Sequence, residues 1–403
     1  MEPKELFSTA LGLVKPWKCE RVEFAGEPRQ LRLGIDFERG SRLACPQCGV
    51  SCPVHDTVEK QWRHLNFFQY ECVLVARVPR VKCETHGVHV VTVPWAREGS
   101  GFTLLFEALV MMLAQAMPMV EVAEMVREQD TRLWRVVQHY VEQAQAQRSW
   151  AGVKQILVDE TSAKRGHRYV TNFVDAQSRE LLFMVEGKGS EGFAAFAEAL
   201  PAHGASPAQI ELIGMDMSAA FRKGAREHFP KARVVFDHFH LMQWAGQAVD
   251  EVRQELRRSG AELKGSLWAV RGNESTRSEE QKQQRAALCL AYPKIGRALA
   301  LRDYLQDALQ TKDEQSLKGW LSWAQRSRLQ PFQKLAKSIK AHWDGIVAFL
   351  ETRLTNGLIE AINGLLQLAK RLARGFRSFK TFQLMGYLKA GKLKINTPSL
   401  LPT

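Results

Sequence analysis

The spacing of apolar and polar positions changes character near residues 100, 150 and 240. Up to about residue 97 the chain holds short alternating runs such as ECVLVARVPRVKC (71–83), the period-two pattern of half-buried strands. From 102 to 148 the apolar residues recur every three or four positions. Breaks at Pro118 and near Asp130 divide this stretch into three predicted helices. MVEVAEMVREQ and DTRLWRVVQHYVEQA then read as two helices joined by a short turn, with Asp130 or Thr131 as N-cap of the second. From 153, VKQILVDET, RYVTNFVDAQ and RELLFMVEG predict a three-strand meander. A helix at about 190–202, the strand QIELIGMD, a helix from Ser218 to Phe229 and the strand ARVVFD follow. Beyond His240 the pattern is helical to the end, broken by polar runs such as GNESTRSEEQKQQR. A meander followed by two strand-helix units implies an α/β layout around a mixed sheet.

One late helix stands out, TNGLIEAINGLLQLAKRLARGFRSF (355–379). At about 100° per residue, Asn356, Glu360, Asn363, Gln367, Lys370, Arg371 and Arg374 fall on one side. Leu358, Ile362, Leu365, Leu366, Ala369 and Leu372 fall on the other and are expected to pack on a core. From Thr355 to Lys394 the only acid is Glu360. An ordinary solvated face would mix Glu with Lys one turn apart. The bias suits a surface that meets phosphates.

The composition agrees. The chain has 403 residues, 45% hydrophobic and 25% charged, which makes it globular and long enough for several domains. Its formal charge of +13, with a pI near 9.5, points to nucleic acid ahead of an anionic membrane surface or an acidic protein. No apolar run reaches the roughly 18 residues of a membrane span, and the N-terminus lacks a signal-peptide layout, so an intracellular protein is expected. Seven cysteines, an odd number that includes a CxxC, fit a metal site better than a disulfide framework.

Four constellations can carry chemistry. Cys45 and Cys48 in CPQC, with Cys83 and His86 in CETH, have the paired spacing of a tetrahedral structural zinc site; Cys52 and His55 are rival ligands. In the three-helix segment, Arg127, Arg132 and Arg135 are the candidates to face DNA if the helices form a helix-turn-helix. Asp159 and Asp216 each close an apolar strand, where an acid is costly unless solvated, hydrogen-bonded or metal-bound. With Glu360 on the late helix they form a set of oxygen donors that hard divalent ions favour. VVFDHFH adds Asp237, His238 and His240, which alone read first as a packed junction.

These motifs, in this order, resemble the DDE transposases of bacterial insertion sequences, in particular the ISL-three group. The likeness rests on CPQCG, the helical segment, VDET with RGHRYVT, GMDMSAAF, VVFDHFH and the late helix, and runs along most of the chain. A second zinc knuckle of CxxC form would be expected, and this chain has His86 there. The resemblance implies a multi-domain α/β protein. An RNase H-like catalytic core with an all-helical insertion would follow a zinc ribbon and a helix-turn-helix domain. The implied domains are 1–97 (zinc-binding), 98–150 (helix-turn-helix), 151–240 (first part of the core), 241–350 (insertion) and 351–403 (closing Glu helix and basic tail). Carried over residue by residue, the catalytic triad is Asp159, Asp216 and Glu360, holding two magnesium ions, with manganese as a substitute, beside a structural zinc. Asp237 and His240 would support that site from behind. Asn356, Asn363, Lys370, Arg371, Arg374 and Arg377 would contact DNA, and the tryptophans of the insertion would pack or stack on distorted bases. The implied activity is binding of terminal inverted repeats followed by metal-dependent strand cleavage and strand transfer. Double-stranded DNA, both transposon ends and target, would be the partner. A homodimer or higher assembly in the bacterial cytoplasm, on the nucleoid when bound, is expected, with no membrane association. The rival readings are a catalytically silent DNA-binding regulator and an RNase H-like nuclease or resolvase without strand transfer.

Overall fold

A computed structural model describes residues 2–164, 166–263, 266–270 and 278–400. The chain divides into two compact units, Met1–Ala144 with Lys394–Thr403, and Gln145–Leu393.

The first unit opens with α1 (Pro3–Ala10) and the strands β1 (Trp17–Ala25), β2 (Gln30–Phe37), β3 (Arg42–Ala44), β4 (Ser51–Arg63), β5 (Glu71–Cys83) and β6 (Gly87–Val90). They form one sheet in the order β1-β2-β5-β4-β3, with β6 also paired to β5. The inward residues Leu31, Leu33, Leu74, Val78 and Val81 are almost fully buried. Trp95 closes this core edge-on to Trp17 and Trp62, with ring centroids 4.9 and 5.6 Å away. The helices α2 (Leu104–Ala116), α3 (Met119–Val126) and α4 (Asp130–Ala146) follow, at the predicted breaks. Thr103 caps α2 by accepting from the Phe106 N–H. Arg127 ends α3 in a left-handed turn with φ 54°. Asp130 is the first residue of α4, so it meets the positive end of the helix dipole from inside the first turn and is not the expected cap.

Glu107 of α2 has no solvent exposure, and the fold compensates its charge fully. Arg97 grips both carboxylate oxygens at 3.0 Å, Ser100 Oγ donates to one at 2.7 Å and Tyr140 Oη of α4 donates to the other at 2.8 Å. Burial beside this carboxylate pushes the Tyr140 phenol far up. The network ties α2 to α4.

The second unit carries β7 (Gln155–Lys164), β8 (Arg168–Asp175) and β9 (Glu180–Glu186), then α5 (Glu191–Ala199), β10 (Leu212–Met215), α6 (Ala219–His228) and β11 (Arg233–Phe236). The sheet order is β11-β10-β7-β8-β9. The predicted meander β7-β8-β9 is antiparallel, and β10 and β11 run parallel to β7. A phenylalanine layer covers one face, with Phe173 stacked on Phe196 of α5 at 4.5 Å and Phe193 edge-on to Phe221 of α6. Helices then run as α7 (His238–Arg258), α8 (Leu267–Val270), α9 (Glu279–Ala291), α10 (Pro293–Thr311), α11 (Glu314–Arg326), α12 (Gln330–Ala341), α13 (Trp343–Thr352), α14 (Gly357–Leu372) and α15 (Phe379–Ala390). Trp320 is fully buried and donates to the Leu301 carbonyl at 2.7 Å; Trp323 and Trp343 pack partly buried against the same core. These three are packing residues. The side chain of Trp268 and residues 272–277 of the polar run lie outside the described residues. Among the described residues, no helix is long and apolar enough to cross a membrane.

The late helix, α14, is rolled relative to its predicted orientation. Ile359, Ile362 and Leu366 are buried, together with Asn356 and Asn363, whereas Leu365 and Leu372 of the supposed core face are exposed.

Replacing Glu107 with Ala should cost about 3–5 kcal/mol, because it strands the Arg97 charge. Amide hydrogen exchange in α2 and α4 should accelerate accordingly, and unchanged protection of both helices would contradict the role given to Glu107.

Candidate functional site

The docking of α14 on β7 builds the acidic site. Asp159 of β7 lies opposite Asn172 of β8, so both side chains share one face of the sheet. Asn363 bridges them: its Nδ2 donates to Asp159 Oδ2 at 2.8 Å, and its Oδ1 accepts from Asn172 Nδ2 at 2.7 Å. Two residues on, Thr161 Oγ1 accepts from Gln367 Nε2 at 2.7 Å, and the Ser162 carbonyl accepts from Gln367 and from Lys370 Nζ. A step of two residues on a strand covers roughly 6.6 Å, and four residues of helix about 6 Å. The match lets Asn363 and Gln367 hold Asp159 and Thr161 in turn. Glu360 lies exposed, one turn before Asn363.

Asp216 follows the last residue of β10, the strand next to β7. Its Oδ1 accepts the Ser218 N–H at 2.9 Å, in the turn that starts α6, so that turn occupies one of its oxygens. Burial first, and then the nearby Asp216 carboxylate, push Asp159 up to about 6, against the pull of the Glu160 N–H, His240 and Asn363. A carboxyl in that state is short of positive charge.

Asp237 is almost fully buried at the end of β11 and accepts the Phe239 N–H as N-cap of α7. Its Oδ1 lies 3.3 Å from His238 Nδ1, and its Oδ2 is buried without a partner. His238 stacks on Phe349 at 4.6 Å. Asp216 and Asp237 directly follow β10 and β11, whereas Asp159, expected to close its strand, lies in the middle of β7, which runs on to Lys164 alongside β8; the three acids sit on three adjacent parallel strands.

Several expected DNA contacts are placed elsewhere. Asn356 is buried, with its Oδ1 near Gly214 of β10, and Asn363 is buried between two strands, so neither has an atom to offer a phosphate. Lys370 is spent on the Ser162 carbonyl, and burial lowers its pKa. Arg132 is held by Glu128 at 2.6 Å and lies over the Phe102 ring at 4.5 Å. Arg127, Arg135, Arg371, Arg374 and Arg377 remain exposed. Sequence reasoning missed Asn172, whose signal was an amide inside the otherwise apolar VTNFV.

In the first unit, Cys45, Cys48, Cys83 and His86 gather with their ligand atoms within 4.8 Å of one another. Sulfur to sulfur, Cys48 and Cys83 are 3.8 Å apart; His86 Nδ1 lies 3.6 Å from Cys83 and 3.9 Å from Cys45. A tetrahedral zinc with bonds of about 2.3 Å to sulfur and 2.0–2.1 Å to nitrogen requires edges of about 3.8 and 3.6 Å. The four ligands fit that ion. The His86 and Thr85 N–H groups, and then the His86 ring, draw the Cys83 thiol down to about 6, toward the thiolate a metal needs. Cys52 instead turns its thiol to the Val50 carbonyl at 3.3 Å, and neither it nor His55 belongs to the cluster. Among the described residues no other such trio of ligands is as close, so Asp159, Asp216 and Glu360 are spread more widely than the zinc ligands.

Family models match all three regions: a transposase model over residues 156–385, a helix-turn-helix domain of transposase family ISL3 over 91–141, and the zinc-finger of transposase IS204/IS1001/IS1096/IS1165 over 41–86. The transposases for insertion sequence element IS1557 from two strains of Mycobacterium tuberculosis are 32% identical, covering 94% of this chain and 93% of theirs. The transposase for IS1001 of Bordetella parapertussis is 26% identical over 93% of this chain and 95% of its own.

Two outcomes follow. The folded Asp159 value, about 6, lies above the unfolded value of about 3.9, so the folded chain holds a proton that the unfolded chain has given up between those pH values. The stability this gives is present below pH ~4 and lost as pH rises through 6. In magnesium-free buffer Asp159→Asn should therefore be more stable than the parent at pH 8 and equal to it near pH 4; urea unfolding at both values checks this. Purified protein should also carry one zinc per chain by metal analysis, and Cys83→Ser should lose it together with near-ultraviolet ellipticity of the first unit.

Proposed function

Since the chain belongs to the ISL3 family of transposases, we propose that Asp159, Asp216 and Glu360 are its catalytic acids and that they cut and join DNA at the ends of an insertion sequence. The strand order β11-β10-β7-β8-β9, three strands antiparallel and two parallel, supports an RNase H-like core for residues 151–240 and 351–403, with the helices between as its insertion. The observation that carries the reading is the position of Asp159. It is half-buried, pushed up to about 6 with Asp216 contributing, and gripped by the helix that bears Glu360.

The donor set fits magnesium, a hard cation that takes carboxylate oxygens and keeps positions open for water and phosphate. When bound, magnesium would supply charge neutralisation at the scissile phosphate and a lowered pKa for the attacking water or 3′-hydroxyl. The chain's own residues do the rest. Asn363 fixes the Asp159 carboxylate, so that one oxygen is presented at a constant angle. Ser218 orients Asp216 through Oδ1 and leaves Oδ2 for a ligand. Asp237 anchors the start of α7, from which His240 reaches the neighbourhood of Asp159. Exposed Arg371, in the last turn of the Glu helix, and Arg374 and Arg377 just past its end hold the cleaved strand.

The zinc-binding domain (1–97) and the helix-turn-helix domain (98–150) read the terminal repeats, with Arg127 and Arg135 facing DNA. Family membership and the helix-turn-helix match support DNA binding. Pairing of two ends calls for a dimer or a larger assembly on DNA.

The test is incubation of the protein with labelled duplex carrying the element's terminal repeats and magnesium. Wild type should nick and join the ends. Asp216→Asn should bind equally well and lose at least about 100-fold in nicking, while Asn363→Ala should lose about 10–100-fold, as residues that orient metal ligands do. Wild-type protein that binds but never nicks, or an Asp216→Asn variant at full activity, would overturn the proposal.

A further inference from the structure

A second concave feature of the same unit has no role in the site above. Between α6, the edge strand β11 and the start of α13 lies a cleft of about 470 Å³. Arg222, Lys223 and Arg226 of α6 line one wall, Arg233 of β11 stands at one end, and His342 and Asp344 face them.

The charges in this cleft are unevenly matched. Arg233 is paired with Glu351. Arg222, Lys223 and Arg226 are exposed, and no ion pair reaches any of them among the described residues. Arg222 and Arg226 lie one turn apart, where like charges repel, and Lys223 is not joined to Glu227 one turn on. Asp344 alone offsets three cations. A free basic helix face can simply be solvated, but here it forms the wall of a recess, where low-dielectric surroundings strengthen the field on a bound anion.

The position of the recess gives it a direction. Its lining includes Ala219, three residues after Asp216, and Phe236, the residue before Asp237. From there it follows β11 back to Arg233. That strand spans roughly 10 Å at about 3.3 Å per residue, long enough to follow a short stretch of DNA backbone. We infer that this cleft binds a DNA backbone through Arg222, Lys223 and Arg226 and leads that strand to the acidic edge. The inference rests on the reading that the acidic edge acts on DNA. The backbone can belong to the transposon end or to the target.

Binding at several salt concentrations tests the inference without requiring chemistry. Every cation withdrawn from a phosphate should make the slope of log affinity against log salt shallower by about 0.9. The variant is Arg222→Gln with Lys223→Gln and Arg226→Gln. A control removes the same charge elsewhere, by Arg257→Gln, Arg258→Gln and Lys294→Gln. Thermal unfolding of both should match the parent, since all six positions are exposed. The probes are duplex carrying the terminal repeats and a short unrelated duplex. A slope shallower by about 2–3 on the terminal-repeat duplex places the transposon end in the cleft, and the same change confined to the unrelated duplex places target DNA there. Slopes no shallower than the control's on both probes overturn the inference. Failure of the catalytic reading would look different: wild type would bind with its full salt slope and never nick.

Discussion

The hydrogen bond from Asn363 to Asp159 is the contact on which the proposed chemistry of the second unit depends. It joins residues 204 positions apart and fixes where α14 crosses β7. Asp159 is half-buried, and a carboxylate withdrawn from water without donors incurs a desolvation cost or takes a proton instead. Asn363 supplies one donor and the Glu160 N–H, at 2.8 Å, the other. Because Asn363 also accepts from Asn172, its amide cannot turn without breaking two buried bonds. The helix is thereby locked in rotation as well as position, and Glu360, one turn away, inherits a fixed place without a bond of its own.

The zinc cluster and the proposed catalytic acids obey one electrostatic rule with opposite results. At the zinc cluster the backbone donates N–H groups to Cys83 and favours its anionic form before any metal arrives. At the proposed catalytic acids, burial and a like-charged neighbour outweigh the donors to Asp159 and hold it up at about 6. A structural zinc site is closed by four ligands and completes the fold, so pre-formed thiolate character costs nothing in function. The carboxylates, by contrast, would be stabilised as anions by a divalent cation, so in the proposed mechanism ion and DNA phosphate meet at the same edge.

The strands of the second unit and their order along the chain were legible because period-two patterns interrupted by turn residues leave few alternatives; in the first unit only strand-like runs were, and the extension of β7 past Asp159 was not. The zinc ligands were legible for a related reason, since CPQC and CETH state their own spacing. What escaped was rotation. Apolar periodicity placed Leu365 and Leu372 of α14 inward, yet the helix turns its amides to the sheet because Asp159, Asn172 and Thr161 present polar groups there. A sequence shows the polar face of each element but not that two such faces meet. The same limit applies to Arg132, which looked free on its helix and is held by Glu128 and Phe102, and to Glu107, whose isolation in an apolar run gave no sign of Arg97, Ser100 and Tyr140 around it.

The long helical segment between β11 and α14 would be expected to loosen the placement of Glu360, since closing a long connection costs entropy that grows with its length. The fold avoids this by fastening both ends of the segment to one edge strand. At its start, Asp237 caps α7 directly after β11, and His238 stacks on Phe349 of α13. At its end, Phe236 meets His342 at 5.4 Å, and Glu351 pairs with Arg233. The segment therefore leaves and returns at β11, and α14 starts from a point set by the sheet. Under that arrangement the length and sequence of the intervening helices are free to vary with the substrate they meet, while the acid that follows them stays one turn from the amide that holds Asp159.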